Sequence, residues 1–214
     1  MPKISDHFYS VNAGMCYFYI LDAGESLVVF DTGVNPAQAK KGLQKEGLDP
    51  DRVSRVFLTH SDSDHAGGLK AFKNARVLLS KLEEPMITRQ QPRFVIKYNA
   101  SLHDYQTLED RETVTIGTHT IQIISTPGHT PGSACYLVNG SLLVAGDTMR
   151  VAADGRISPF IFFISMNHAG NKKSLEKLCA EGYINRREGT AGYFPASCIS
   201  IILTGHTGVY RRSL

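Results

Sequence analysis

At 214 residues the chain is long enough for one large domain or two small ones, well above the size at which cores become marginal. A hydrophobic share of 42% beside 20% charged residues excludes intrinsic disorder, collagen-like repeats and a disulfide miniprotein. The formal net charge of +3, from 23 basic and 20 acidic side chains, is too small and too dispersed to imply nucleic acid or an acidic membrane surface.

The first thirty residues read as strands. The run 15–21 is nearly continuously apolar and rich in aromatics, the turn signal Asp22-Ala23-Gly24-Glu25 follows, and 26–30 is apolar again. That predicts a hairpin covered on both faces. Asp31-Thr32-Gly33 breaks it, and 36–46 reads as a surface helix stopped by Gly47. Strands are expected at 55–59 and Arg76–Ser80, with a short helix at 69–73 between them. The charged stretch 81–112, holding Pro85 and Pro92, is the least legible part of the first half. Strands at 113–116 and 120–125 flank Gly117. A second hairpin joins 135–138 to 141–145 around Asn139-Gly140, the strongest short-range turn signal in the chain. A helix includes 174–178, and 199–204 is a last buried strand. Hairpins in both halves, with helices between other strands, predict mixed sheets covered by helices. No repeat, low-complexity tract or linker is visible, so residues 1–214 read as a single domain.

Four cysteines (Cys16, Cys135, Cys179, Cys198) stand far apart without a CxxC, which predicts reduced thiols and no thiolate zinc site. No basic segment followed by an apolar one opens the chain, and no apolar run approaches the ~18–20 residues of a membrane span. A soluble cytoplasmic protein is the expectation. Asn99-Ala100-Ser101 and Asn139-Gly140-Ser141 match the glycosylation pattern but mean little without a secretory signal.

Eight histidines and no tryptophan form the one compositional oddity, and position explains half of them. Apolar strands end at Asp31, at His60-Ser61-Asp62-Ser63-Asp64-His65, at His129, at Asp147 and at His206, each among glycines and small residues. A rigid sheet presents ligands from such loops. Imidazole with carboxylate suits zinc, iron or manganese, whereas calcium takes oxygens only. His60, Asp62, Asp64, His65, His129, Asp147 and His206 make seven candidate ligands, and one tetrahedral ion needs three or four. Seven therefore imply two ions with a shared carboxylate. The plainer account makes Asp62 and Asp64 helix caps and the histidines scattered loop residues. His7, His103, His119 and His168 lack ligand-spaced partners and read as surface, packed or edge residues.

Thr59-His60-Ser61-Asp62-Ser63-Asp64-His65-Ala66-Gly67-Gly68 resembles the T-H-x-H-x-D-H-x-G-G signature of the metallo-β-lactamase superfamily. Asp31-Thr32-Gly33, Thr126-Pro127-Gly128-His129-Thr130-Pro131-Gly132-Ser133, Ala145-Gly146-Asp147-Thr148 and Leu203-Thr204-Gly205-His206-Thr207-Gly208 match its other motifs in order. The resemblance is closest to the small hydroxyacylglutathione-hydrolase-like (glyoxalase II-like) type. It implies an α/β fold of the α+β kind, a four-layer αββα sandwich of two mixed sheets flanked by helices. It also implies that one metal takes His60, the residue at 62 and His129, and the other takes Asp64, His65 and His206. Asp147 would bridge them, and Asp31 would support the ligand loops through hydrogen bonds. At position 62 an Asp replaces the signature's second His, a shorter and harder ligand that favours iron or manganese relative to zinc. Zinc remains the first expectation.

The activity so implied is that of a dinuclear metallo-hydrolase. A hydroxide bridging the ions, held in line with the help of Asp64, attacks a small ester, thioester or lactone carbonyl. The alternatives are a diiron redox protein of the flavodiiron kind, prompted by Asp62, and more remotely a phosphodiesterase or nuclease. A small-molecule substrate is the expected partner, and the oligomeric state is left open. The chain ends eight residues after His206, so the basic helical extension that grips glutathione in glyoxalase II is not expected. Residues 180–197, with Tyr183, Arg186, Arg187, Tyr193 and Phe194, read either as a substrate-facing lid or as a disordered insertion.

Overall fold

The computed structural model describes residues 3–5, 7–95, 100, 102–187, 190 and 192–212. Asn99 and Ser101 of the first glycosylation pattern lie outside the described residues. Strands β1 (Lys3–Ser5), β2 (Phe8–Asn12), β3 (Tyr17–Asp22), β4 (Leu27–Phe30), β5 (Val53–Phe57), β6 (Arg76–Ser80) and β7 (Gln106–Leu108) lie side by side in that order in one sheet. Pairing is antiparallel from β1 to β4 and parallel from β4 to β7. Helix α1 (Pro36–Lys45) fills the β4–β5 crossover; α2 (Ser63–Ala66) and α3 (Glu84–Ile87) follow β5 and β6. Asn35 caps α1 by accepting from the Gln38 amide at 2.9 Å, and Pro36 opens the helix where its missing N–H costs nothing.

The second half builds β8 (Thr113–Ile116), β9 (His119–Ser125), β10 (Ala134–Val138) and β11 (Leu142–Gly146) as an antiparallel run. The chain then leaves for β12 (Met149–Val151), β13 (Ile157–Pro159), α4 (His168–Ala180), β14 (Ile184–Arg186) and β15 (Tyr193–Pro195). It returns as β16 (Ile201–Thr204), parallel to β11, and β17 (Gly208–Arg211). The second sheet therefore runs β17-β16-β11-β10-β9-β8, and a small third sheet runs β12-β13-β15-β14.

Strand alternation explains the layers. Along β3 and β4, Tyr19, Leu21, Val28 and Phe30 join a cluster with Ile121, Ile123, Tyr136 and Val144 of the other sheet. The intervening Phe18, Ile20, Leu27 and Val29 pack instead with Ala39 and Leu43 of α1. On the second sheet the outer residues Ile124, Cys135, Leu143 and Ile202 pack with Leu175 and Leu178 of α4 and with Ile157 and Tyr193 of the third sheet. Both sheets are thus apolar on both faces, which is why their strands read as continuous apolar runs. The result is the mixed-sheet α/β sandwich, with the third sheet sharing the outer layer beside α4.

Several expected elements move, the strands expected at 15–21 and 199–204 becoming Tyr17–Asp22 and Ile201–Thr204. The strand expected at 55–59 is Val53–Phe57, because Leu58 and Thr59 turn away to begin the polar loop. The short helix expected at 69–73 is a single 3-10 turn, Leu69–Ala71. Residues 180–197 are neither lid nor unstructured over their described part: β14 and β15 pair antiparallel there, with Tyr183 and Arg186 engaged by Arg111 and Tyr193. Asn139-Gly140 forms the expected β10–β11 turn, with φ of 50° and 70°. All four cysteines are free.

Candidate metal centre

The seven ligand-type side chains converge at one end of the sandwich. The loop and short helix after β5 carry His60, Asp62, Asp64 and His65; the β9–β10 loop carries His129; Asp147 follows β11 and His206 follows β16. Two buried tyrosines of the inter-sheet core fix the strand ends beneath. Tyr19 donates to the Thr204 carbonyl and Tyr136 to the Leu58 carbonyl, both at 2.7 Å. Each places its hydroxyl at the lip of the apolar core, where a strand yields to a ligand loop.

The ligand atoms fall into three groups within each of which all atoms lie inside 4.8 Å: His60, Asp62 and His129; His60, His65 and Asp147; Asp64, His65 and His206. His129 Nε2 stands 3.0 Å from Asp62 Oδ2 and 3.5 Å from Asp147 Oδ2. His206 Nε2 stands 3.4 Å from Asp64 Oδ2 and 3.2 Å from Asp147 Oδ2. Asp147 thus faces both outer groups. Asp62 occupies the N-cap position of α2 but makes no capping hydrogen bond; its side chain points into the cluster, which disposes of the capping account.

The residues fit a metal pair. His60 Nε2, His65 Nε2 and Asp147 Oδ1 are buried with no hydrogen-bond partner. A desolvated imidazole lone pair and a desolvated carboxylate oxygen are costly unless something cationic satisfies them. Burial works against the charge of Asp147, yet the neighbouring His65 and His206 hold its carboxyl well below the usual range. Hydrogen bonding to Asp147 and Asp64 pushes His206 up to about 10. Burial alone would depress His65, but the Asp147 and Asp31 charges raise it well above the ordinary histidine value. At His129 burial prevails and the imidazole is lowered. Among the described residues, the carboxylates of the cluster are met by imidazoles and one guanidinium.

Asp31 sets the imidazole orientations. Its Oδ2 accepts from His65 Nδ1 at 2.8 Å and from the Thr59 hydroxyl at 2.8 Å, while Oδ1 accepts the Thr59 amide at 2.8 Å. The Thr59 oxygen lies 3.1 Å from His60 Nδ1. Because that hydroxyl gives its proton to Asp31, it accepts from His60, so both imidazoles carry hydrogen on Nδ1 and present Nε2 to the cluster. His206 Nδ1 donates to the Met15 carbonyl at 2.7 Å with the same consequence. Asp31 itself is held at φ 61°, a left-handed backbone that a non-glycine residue adopts at some cost.

Two supporting residues lie in the stretch that was illegible in sequence. Glu83, fully buried, accepts from the Ser61 amide and hydroxyl, at 2.9 and 2.6 Å, and from the Thr130 hydroxyl and Gly132 amide, at 2.7 and 3.0 Å. It ties the loop bearing His60 and Asp62 to the loop bearing His129. Arg93 pairs with Asp62 at 2.8 Å. Phe160, following β13, packs edge-on to His129 with ring centroids 5.0 Å apart and also meets His206 at 5.3 Å. Close approach is enforced at Gly205, where a Cβ would fall 2.3 Å from Asp147 Oδ1 and 2.7 Å from the His65 ring. A cavity of about 450 Å³ opens over the cluster, lined by Asp62, Asp64, His129, Asp147 and His206 together with Met15, Phe94 and Ile164. Among the described residues of 180–197, none lines it.

The profile of the metallo-beta-lactamase superfamily matches residues 11–180, and the chain belongs to that superfamily. A protein of Bacillus subtilis (strain 168), YobT, described as uncharacterized, is 26% identical over 182 residues, covering 75% of this chain and 76% of that one. Among solved structures, a B3 metallo-β-lactamase with an active-site glutamic acid superposes with a TM-score of 0.72 at 21% identity, over 99% of this chain and 82% of that chain. The subclass B3 enzyme BJP-1 of Bradyrhizobium japonicum superposes with a TM-score of 0.68 at 18% identity, over 96% and 76%. These structural likenesses establish the fold, and the site rests on the geometry above.

Proposed function

We propose that the chain is a dinuclear metal-dependent hydrolase of the small glyoxalase II-like kind, acting on a small ester, thioester or lactone. The observation that carries this reading is the convergence of seven His and Asp side chains, with buried Nε2 atoms on His60 and His65 that no hydrogen bond satisfies. His60, Asp62 and His129 would hold one ion, Asp64, His65 and His206 the other, with Asp147 shared between them. Zinc is the first choice for both. When bound, such an ion polarises a carbonyl and brings the pKa of a coordinated water down toward about 7.

The protein's own groups then do the positioning. Asp31 and Thr59 lock two imidazoles, and Met15 locks a third. Asp64 borders the cavity; burial opposes its ionisation, but His206 and His65 keep its carboxyl below the ordinary range. It is therefore an acceptor that can hold the attacking water by its proton and fix its direction toward the substrate. Met15, Phe94 and Ile164 supply apolar lining for the remainder of a small substrate.

Elemental analysis of protein purified without chelator, followed by an ester, thioester and lactone panel, tests the reading. Two zinc equivalents and turnover of one of these classes are expected, whereas two irons with a visible charge-transfer band would favour redox work. His206→Ala should lose metal and turnover together. If that variant kept two equivalents and full activity, the ligand assignment would be wrong.

A further inference from the structure

Arg93 enters the cluster and the hydrolytic scheme does not use it. The residue is only 6% exposed. Its Nε donates to both oxygens of Asp62, at 2.8 and 3.0 Å. Its Nη2 donates to the Ile164 carbonyl at 2.5 Å and lies 3.2 Å from His129 Nε2. Two of the three side chains in the His60–Asp62–His129 group therefore already face a positive charge, through the atoms that group would offer to an ion. The other group has no such tenant. Among the described residues, the ion pairs of Asp64, His65 and His206 are with one another, Asp31 and Asp147, never with a lysine or arginine.

We infer that Arg93 is a resident cation that makes the two metal positions unequal. The Asp64–His65–His206 position fills first, and the His60–Asp62–His129 position admits its ion only as Arg93 releases Asp62 and His129. This inference rests on reading both groups as metal sites. Its physical basis is that a guanidinium and a divalent ion compete for the same carboxylate, and their repulsion is poorly screened where water is scarce. Arginine suits the task because its planar guanidinium donates to several acceptors at once. Space to withdraw is at hand: Arg93 borders the cavity, and its guanidinium lies 4.7 Å from the Phe94 ring centroid. The short carboxylate at position 62 completes the device, since a histidine there would not form the same two-oxygen pair with the guanidinium.

The test titrates chelator-stripped full-length protein with Zn²⁺ alone against a chromogenic chelator, and counts bound metal after gel filtration. Wild type should take one equivalent clearly before the second. In Arg93→Met the second equivalent should tighten about tenfold to hundredfold, the range over which groups surrounding a ligand set alter metal affinity, with the first unchanged. Arg93→Gln keeps a donor at the place of Nε for Asp62, without the charge. It should show the same tightening, and it carries the test if circular dichroism shows that the Met variant does not fold. A second equivalent that is unchanged or weaker in the folded variant overturns the role of Arg93. Two equal equivalents in wild type and variant alike overturn it too, while leaving the hydrolase reading standing. A chain that takes up no zinc in any form removes both.

Discussion

Asp31 shows how much one residue governs here. It does not line the cavity over the cluster, yet His65 directly and His60 through Thr59 take their orientation from its two oxygens. Asp31→Asn would replace one acceptor by a donor facing a donor. Metal affinity should then fall about tenfold to hundredfold, as when such outer partners are removed elsewhere, with chelator competition as the measurement. The ligand-type residues could be read from sequence because they sit in short strings beside glycines, where a local spacing suffices. Glu83 and Arg93 could not. Each is a single charged residue in a charged stretch, and its meaning lies in partners 22 to 71 positions away. No local pattern separates a buried glutamate with four donors from a solvated one.

At the scale of elements, strands with two covered faces announced themselves as apolar runs, and Asn139-Gly140 announced its turn. The shortest strands did not. β1, β7, β12, β13, β14 and β15 have three residues each, too few for any periodicity to register. That is why residues 180–197 invited the idea of a lid. With β14 and β15 paired to each other, and Tyr183 and Arg186 engaged away from the cavity, substitutions there should leave catalysis alone. Tyr183→Phe and Arg186→Ala are expected to keep wild-type kcat and KM on whichever substrate the panel identifies; a rise in KM would return the segment to the site. The third sheet contributes through its other end, where Phe160 wedges between two ligand rings and the Ile164 carbonyl receives Arg93.

At the scale of the whole molecule, the two sheets and their covers predict which thiols are reachable. Burial pushes Cys16 from its ordinary 9.0 up to about 12, and Cys135 to about 11. A disulfide reagent at neutral pH should modify exposed Cys198 quickly, half-buried Cys179 slowly, and Cys16 and Cys135 only after unfolding. The folded state holds protons on the two buried thiols that the unfolded chain releases. Their contribution to stability is therefore complete below pH 9 and lost as pH rises through about 11 to 12. Urea midpoints measured across that window should fall, and less steeply in Cys16→Ala.

The seven candidate ligands are divided between the layers: four follow a strand of the first sheet, and three come from the second. An ion held by His60, Asp62 and His129, as proposed above, would therefore rivet one sheet to the other. A ligand that binds only the assembled chain adds stability in proportion to the logarithm of its free concentration, about 2.7 kcal/mol at a hundred times Kd. Scarcity of the ion would then do more than silence the enzyme. It would shift the chain toward forms that proteases clear, so that abundance in the cell follows the supply of metal.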